Sequence, residues 1–331
     1  MKALVCEQYG PIDQLKFKNP PDPVAAPDEV VVDVAYASIN FPDTLIVQGL
    51  YQVKPEVPFI PGHECSGIVS AVGKNVTTFA VGDRVTLSRS GTGCFAEKVA
   101  GKADFNVRKI AEWIDLKTAA VMSLAYHTSI HALVDVAKLS PSNTVLVLGA
   151  SGGTGMAAIE IAKALGATVI AAASTQAKLD FCSTLGADHV INYDAEDLKE
   201  RVKTITQGRG ADIVFDPVGD KYTEPAFRSL GFGGKHLVVG FAAGAIPSIP
   251  LNLALLSERS IMGVYLGPWA RKNHGGMAKN QMLLDTWVKT GKLQPKITNT
   301  VKLDDLKSAL TIAAERKIMG KVLVEINANL G

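Results

Sequence analysis

Between Val145 and Gly155 the chain reads VLVLGASGGTG, an apolar run entering a turn with four glycines, and it continues into the helix-forming stretch TGMAAIEIAKALG. Residues of these types at this spacing can hold a pyrophosphate. Gly149 lets the chain turn sharply off a strand, Gly152 and Gly153 let backbone N–H groups approach phosphate oxygens, and Gly155 lets the helix pack closely on the strand. Thr154 lies inside the same turn and counts with them. The phosphates would sit at the positive end of the helix, against its unpaired N–H groups. A tight βα turn with no ligand is the competing reading; it explains the glycines, but not their conjunction with a strand before and an amphipathic helix after.

The segment that would meet the ribose distinguishes one dinucleotide from another. A fold selective for NAD carries Asp or Glu at the end of the second strand, about 20 residues beyond the turn. Here residues 171–178 read AAASTQAK, and the first acid, Asp180, falls inside the next helix. Ser174 and Thr175 offer hydroxyls and Lys178 a cation, a set suited to a 2′-phosphate. NADPH is therefore favoured over NADH. The alternative is that Ser174 caps the helix and Lys178 is a solvated surface charge.

These residues must be positioned by regular elements. Short apolar runs alternate with helical stretches from residue 145 onward: 145–149, 168–173, 189–193, 212–216, 235–240 and 260–265. Six such strands with helical crossovers predict a doubly wound parallel sheet, and their unbroken Val/Ile/Leu character predicts burial on both faces. The first third reads as β, with strands at 2–6, 29–38, 65–73 and 94–100. Residues 115–138 predict a single Ala-rich buried helix that stops at Pro141. Beyond the sixth strand a helix (about 276–290), a strand KITNTV, a helix LDDLKSALTIAAER and a strand GKVLVEI do not extend the repeat. This tail is expected to fold back onto the N-terminal β region.

The 331 residues, 47% hydrophobic and 20% charged, are ample for one large or two modest cores, which excludes a disordered chain. Thirty-four basic against 32 acidic side chains leave a charge of +2, so no nucleic-acid partner is expected. Cys6, Cys65, Cys94 and Cys182 form no C-x-x-C pair, which argues against a disulfide framework or a thiolate zinc site and for a cytoplasmic protein. No signal peptide is evident, and Gly240, Gly244, Pro247 and Pro250 interrupt the one apolar stretch long enough to suggest a membrane span.

The chain resembles the medium-chain dehydrogenase/reductase superfamily and, within it, the zinc-independent NADPH:quinone oxidoreductases, the group that includes zeta-crystallin. The residues that carry the likeness run through the whole chain: N40-F-P-D43, G49-L-Y51, G62-H-E-C-S-G-I-V-S-A-V-G73, V81-G-D-R-V85, F95-A-E97, T128 with A132-L133, the G149–G155 turn, I191-N-Y193, V239-G-F241 and G320-K-V322. The resemblance implies an α/β protein with a GroES-like β-rich catalytic domain in two segments, 1–122 and 267–331, and a doubly wound Rossmann domain, 123–266, between them. It further implies that Ser174, Lys178 and Tyr193 contact the adenosine phosphate end of NADPH, that Asn40, Thr128, Gly240 and Phe241 lie near the nicotinamide, and that Gly320 and Lys321 line the same cleft. Tyr51 matches a family tyrosine near the substrate, whereas Leu45 stands where quinone reductases often carry a second one. A homodimer through the cofactor domains is implied in the same way.

His63 and Glu64 form the G-H-E motif that zinc members use for one ligand and its neighbour. A catalytic zinc needs three protein ligands, and the positions of the other two are Asn40 and Leu124, so no metal is expected. His127 and His131 lack the glutamate of H-E-x-x-H, and no G-x-S-x-G elbow is present. Without zinc to acidify an alcohol, hydride delivery to an electrophilic acceptor is the easier direction. The expected activity is NADPH-dependent reduction of quinones or related electrophilic carbonyl compounds, with Asn40 as the neutral donor that positions cofactor or acceptor oxygen and Tyr51 as a donor or stacking surface. An enoyl-thioester or 2-alkenal reductase is the enzymatic alternative, and an NADPH-binding structural or regulatory protein the alternative of another class.

Overall fold

The computed structural model describes residues 1–330. They form two compact units, one built from Met1–Leu124 with the segment from Pro295 onward, the other from Ala125–Gln294. The first is organised by a seven-stranded sheet, which runs in the order Ile297–Lys302, Lys321–Glu325, Glu29–Ile39, Glu64–Val72, Arg84–Ser88, Val107–Lys109, with Lys98–Lys102 also paired to Glu29–Ile39. All pairings are antiparallel except the first. Val30, Val32 and Val34 alternate along the long strand and pack into one core with Leu87, Phe95 and Leu310.

Register in this sheet decides which polar side chains meet. Ser38 lies opposite Glu64, and Ile39 lies opposite Val322, so the ends of three strands carry Ser38, Glu64 and Lys321 to one place. The C-terminal tail therefore completes a cluster that begins in the first 64 residues.

The second unit holds a six-stranded parallel sheet in the order His189–Asn192, Thr168–Ala173, Thr144–Val147, Ala211–Asp216, Leu230–Val238, Ser260–Gly263. Chain order reverses direction at Thr144–Val147, so the ends of that strand and of Ala211–Asp216 flank a topological switch point, where open parallel sheets bind ligands. The central strands are buried apart from the exposed Thr168 and the half-buried Asp212, as their apolar runs require.

Several elements differ from expectation. Residues 115–138 are not one helix: Leu116–Ala120 and Ala125–Ile130 are separate α-helices, and His131–Val136 is a π-helix. The break coincides with passage from one unit to the other, and the Leu124 N–H there donates to Glu64 rather than to a helical carbonyl. Residues 267–294, expected in the N-terminal unit, belong to the second, where helix His274–Lys289 buries Leu284 and Trp287 and ties Asn280 to Asp135. The strand expected at 94–100 begins only at Lys98, because Phe95 bonds instead to Leu4 and Pro61. Helix Phe41–Val47 and the strands Arg84–Ser88 and Val107–Lys109 were not among the expected elements. Among the described residues no helix is long and apolar enough to cross a membrane.

Candidate functional site

In the second unit Gly149 and Gly155 take the backbone roles that their spacing predicts. Gly149 has φ +54°, in the left-handed region, and a side chain there would lie 2.8 Å from Val218. Gly155 lies so close to the strand end that a Cβ would fall 2.4 Å from the Gly149 carbonyl oxygen and 2.7 Å from Ala150 Cα. Helix Gly153–Ala164 follows with Gly152 as its N-cap, so Gly153 and Thr154 begin the first turn, where N–H groups lack helical acceptors. Thr128 is half-buried on helix Ala125–Ile130, and its neighbour Ser129 donates to the Thr154 carbonyl at 2.9 Å. This geometry can hold a pyrophosphate at a helix N-terminus.

Parallel strands bring their carboxyl ends to one edge, so Ser174 and Tyr193 emerge on the same side of the sheet as the glycine turn. The Lys178 ammonium lies 3.2 Å from the Ser174 hydroxyl, and no carboxylate follows Ala173 before Asp180. Thr175, not Ser174, caps helix Gln176–Thr184, accepting from the Lys178 N–H at 3.4 Å. Ser174 is thus not consumed as the cap. Tyr193 and Tyr222 form a tilted pair with ring centroids 4.4 Å apart. Gly240 and Phe241 follow the strand Leu230–Val238, with the Gly240 N–H on the Asp216 carbonyl at 3.3 Å and Phe241 partly exposed.

The first unit contains a polar cluster closed to solvent. Lys321 Nζ donates to Asn40 Oδ1 at 2.6 Å, to Glu64 Oε1 at 2.9 Å and to the Ile39 carbonyl at 3.4 Å. Three acceptors take the three protons of an ammonium, so Lys321 serves as the counter-ion of Glu64 and is only 2% exposed. Asn40 is engaged at both ends, since its amide also donates to Glu64 Oε1 at 2.9 Å. Ser38 donates to the same carboxylate, and the Leu124 N–H donates to Glu64 Oε2 at 2.7 Å. Burial pushes the Glu64 carboxyl upward, but the Lys321 charge and the hydrogen bonds from Ser38, Lys321 and Asn40 outweigh it and hold the group below its ordinary value. Gly320, at φ +60°, makes the turn that starts this last strand.

Beside this cluster, Asp43 accepts from the Asn40 N–H at 2.8 Å and pairs with His63 Nδ1 at 2.6 Å. The Tyr51 ring stands edge-on to His63, with centroids 6.2 Å apart. Asp43, Glu64 and Ser38 were missing from the expected site, although N40-F-P-D43 carries a legible helix-start signal: an N-cap, a proline in the first turn and an acid at the third helical position. Nothing local marks Asp216 either, yet it is buried beneath the turn that follows its strand.

Two family models match, described as alcohol dehydrogenase GroES-like domain over residues 26–112 and zinc-binding dehydrogenase over residues 153–277. The residues do not fit a zinc ion. Asn40 and Glu64 already surround an ammonium, and among the described residues no three His, Cys, Asp or Glu side chains converge as ligands.

Quinone oxidoreductase-like protein 2 of Bos taurus is 38% identical over 307 residues, 92% of this chain and 87% of that protein. The solved structure of Escherichia coli quinone oxidoreductase complexed with NADPH aligns with a TM-score of 0.90 at 27% identity, covering 98% of this chain and 100% of that one. The CurK enoyl reductase structure aligns with a TM-score of 0.86 at 25% identity over 98% of both chains. The presence of a GroES-like unit and of a doubly wound sheet with its glycine turn at the switch point agrees with each match, and the chain belongs to the quinone oxidoreductase family of the medium-chain dehydrogenase/reductase superfamily, as an oxidoreductase.

Proposed function

We propose that this protein is an NADPH-dependent reductase of quinones or related electrophilic carbonyl compounds that works without zinc. The observation that carries the reading is the carboxyl edge of the parallel sheet: a glycine turn fit for pyrophosphate, then Ser174 and Lys178 3.2 Å apart with no acid beside them. A 2′-phosphate would find a hydroxyl and a cation there, where a ribose diol would find no carboxylate. The NADPH complex of the Escherichia coli relative supports the same cofactor. When bound, NADPH supplies hydride.

The chain's own residues bind, orient and exclude water. Gly149, Gly152, Gly153, Thr154 and Gly155 take the phosphates, Thr175 caps the helix that presents Lys178, and Tyr193 flanks the adenosine end. Thr128, Gly240 and Phe241 are assigned to the nicotinamide end and Tyr51 to the acceptor. Asn40 and Lys321 act through the buried network, because the ammonium and the amide N–H groups are already engaged, and Gly320 makes the turn that leads into Lys321. The CurK enoyl reductase match favours an enoyl-thioester or 2-alkenal reductase as the second reading. A homodimer is proposed through the outer strand Ser260–Gly263, whose surroundings expose Ile246, Leu251, Leu255, Leu256 and Ile261.

Initial rates of NADPH and NADH oxidation with a simple para-quinone and, separately, an α,β-unsaturated ketone, each with and without a strong zinc chelator, test the proposal. NADPH-selective quinone turnover that resists the chelator is expected. Turnover of the ketone alone moves the assignment to the second reading; chelator-sensitive alcohol chemistry, or no turnover, overturns it.

A further inference from the structure

Asp216 ends its strand buried beneath the turn Pro217–Gly219, and its carboxylate accepts four hydrogen bonds. Oδ1 takes the N–H groups of Val218 and Gly219, each at 2.8 Å; Oδ2 takes the Thr223 hydroxyl at 2.7 Å and His236 Nε2 at 3.1 Å. The histidine reaches it because Val214 is the register partner of His236 in the neighbouring parallel strand, and Asp216, two residues on, shares that face. His236 is 1% exposed and its Nδ1 has no partner, so a proton on Nδ1 would be a buried donor without an acceptor. The proton therefore sits on Nε2 and is given to Asp216.

The turn held in this way touches both sides of the switch point. Val218 fills the space left by the missing side chain of Gly149, at the start of the phosphate turn. Gly219, at φ +73°, lies against Phe241, where a Cβ would come within 2.9 Å of the ring. The Pro217 and Val218 carbonyls accept from Ala242 at 3.0 Å and Ala243 at 2.8 Å, so the turn and the stretch from Gly240 to Ala243 move as one piece. With Ser174, Lys178 and Tyr193 on the side of the sheet assigned to adenosine, a dinucleotide crossing the glycine turn must lay its other end over this piece.

We propose that His236 is a positioning residue: by fixing the Asp216 carboxylate it sets the Pro217–Gly219 turn, and with it the bed for the nicotinamide half of the cofactor, while the adenosine half is held independently. This rests on the dinucleotide reading above. His236 lies on the strand Leu230–Val238, whereas Ser174 and Tyr193 follow Thr168–Ala173 and His189–Asn192 on the other side of the switch point, so the two halves of the site separate experimentally.

The test is titration calorimetry of the full-length protein and its variants with NADPH and with adenosine 2′,5′-bisphosphate, which carries only the adenosine end. In His236→Leu the dissociation constant for NADPH rises about tenfold, the size expected for losing a hydrogen bond to a charged group, while that for the bisphosphate stays unchanged. His236→Gln, which keeps an N–H within reach of Asp216, restores most of the loss. Equal weakening of both ligands, or of neither, overturns the proposal. Should His236→Leu not fold, Thr223→Val removes a different donor from the same carboxylate, and the same split is required of it. Failure of the unaltered protein to bind any nicotinamide dinucleotide is a separate result, which overturns the underlying reading and this proposal together.

Discussion

Lys321 and Glu64 stand 257 residues apart in the chain and meet in an ion pair of 2.9 Å whose members are 2% and 0% exposed. Such a pair is costly to break one side at a time, because the remaining charge stays buried. Lys321→Met is expected to lower the unfolding free energy by about 3–5 kcal/mol, measured by urea denaturation. Adding Glu64→Gln to that variant removes the orphaned charge and should recover most of the loss. A single variant as stable as the unaltered protein would show that the pair is not closed to water.

The same carboxylate predicts a pH dependence. Its folded pKa is lowered, so its contribution is fully present above the ordinary glutamate value of about 4.3 and disappears as the pH falls through the lower folded value. Stability measured against pH on the acid side should fall less steeply in Glu64→Gln than in the unaltered protein. Parallel curves would contradict the assignment.

Gly155→Ala places a methyl group 2.4 Å from one backbone atom and 2.7 Å from another, neither of which can rotate away as a side chain could. A loss of about 1–3 kcal/mol in stability is expected, together with weaker dinucleotide binding as the turn is pushed off the strand. Thermal unfolding and calorimetry read the two effects separately.

Lys178→Glu replaces the ammonium beside Ser174 with a carboxylate. NADPH affinity should fall at least about tenfold, through loss of a charge-assisted contact and repulsion of the phosphate, and NADH affinity should change much less. Equal losses measured by fluorescence titration would remove Lys178 from the phosphate site.

All four thiols are buried and free. Burial pushes the Cys182 thiol up to about 12, and it also raises Cys6 and Cys94, the latter further raised by contact with Cys65. Ellman's reagent should therefore label none of the four in the native protein and all four in denaturant. Rapid native labelling would show that one of these sites opens.

The glycine turn was legible because its signal is local. Gly149 to Gly155, the strand before them and the helix after them lie within 20 residues, and each glycine is demanded by a conformation or a close approach that any nearby side chain would block. The lack of an acid after the second strand was legible for the same reason, although the cap proved to be Thr175. The helical stretch at 115–138 was misjudged because no Gly or Pro interrupts it. What breaks it is a backbone N–H of Leu124 drawn to Glu64, 60 residues away in the chain.

By itself, then, the amino-acid sequence determined the six parallel strands, the turn that can cradle phosphate and the missing acid at the second strand, since these follow from runs of apolar residues and from glycine placement. Tertiary structure alone decided that Lys321 neutralises Glu64, that Asn40 braces both, that Asp43 holds His63, that Asp216 and His236 share a proton-mediated contact, and that residues 267–294 belong to the second unit. The physical reason is the reach of the forces involved. Backbone conformation responds to the nearest few residues, whereas a buried charge takes whichever partner the strand register delivers, and register is set by the packing of the whole sheet.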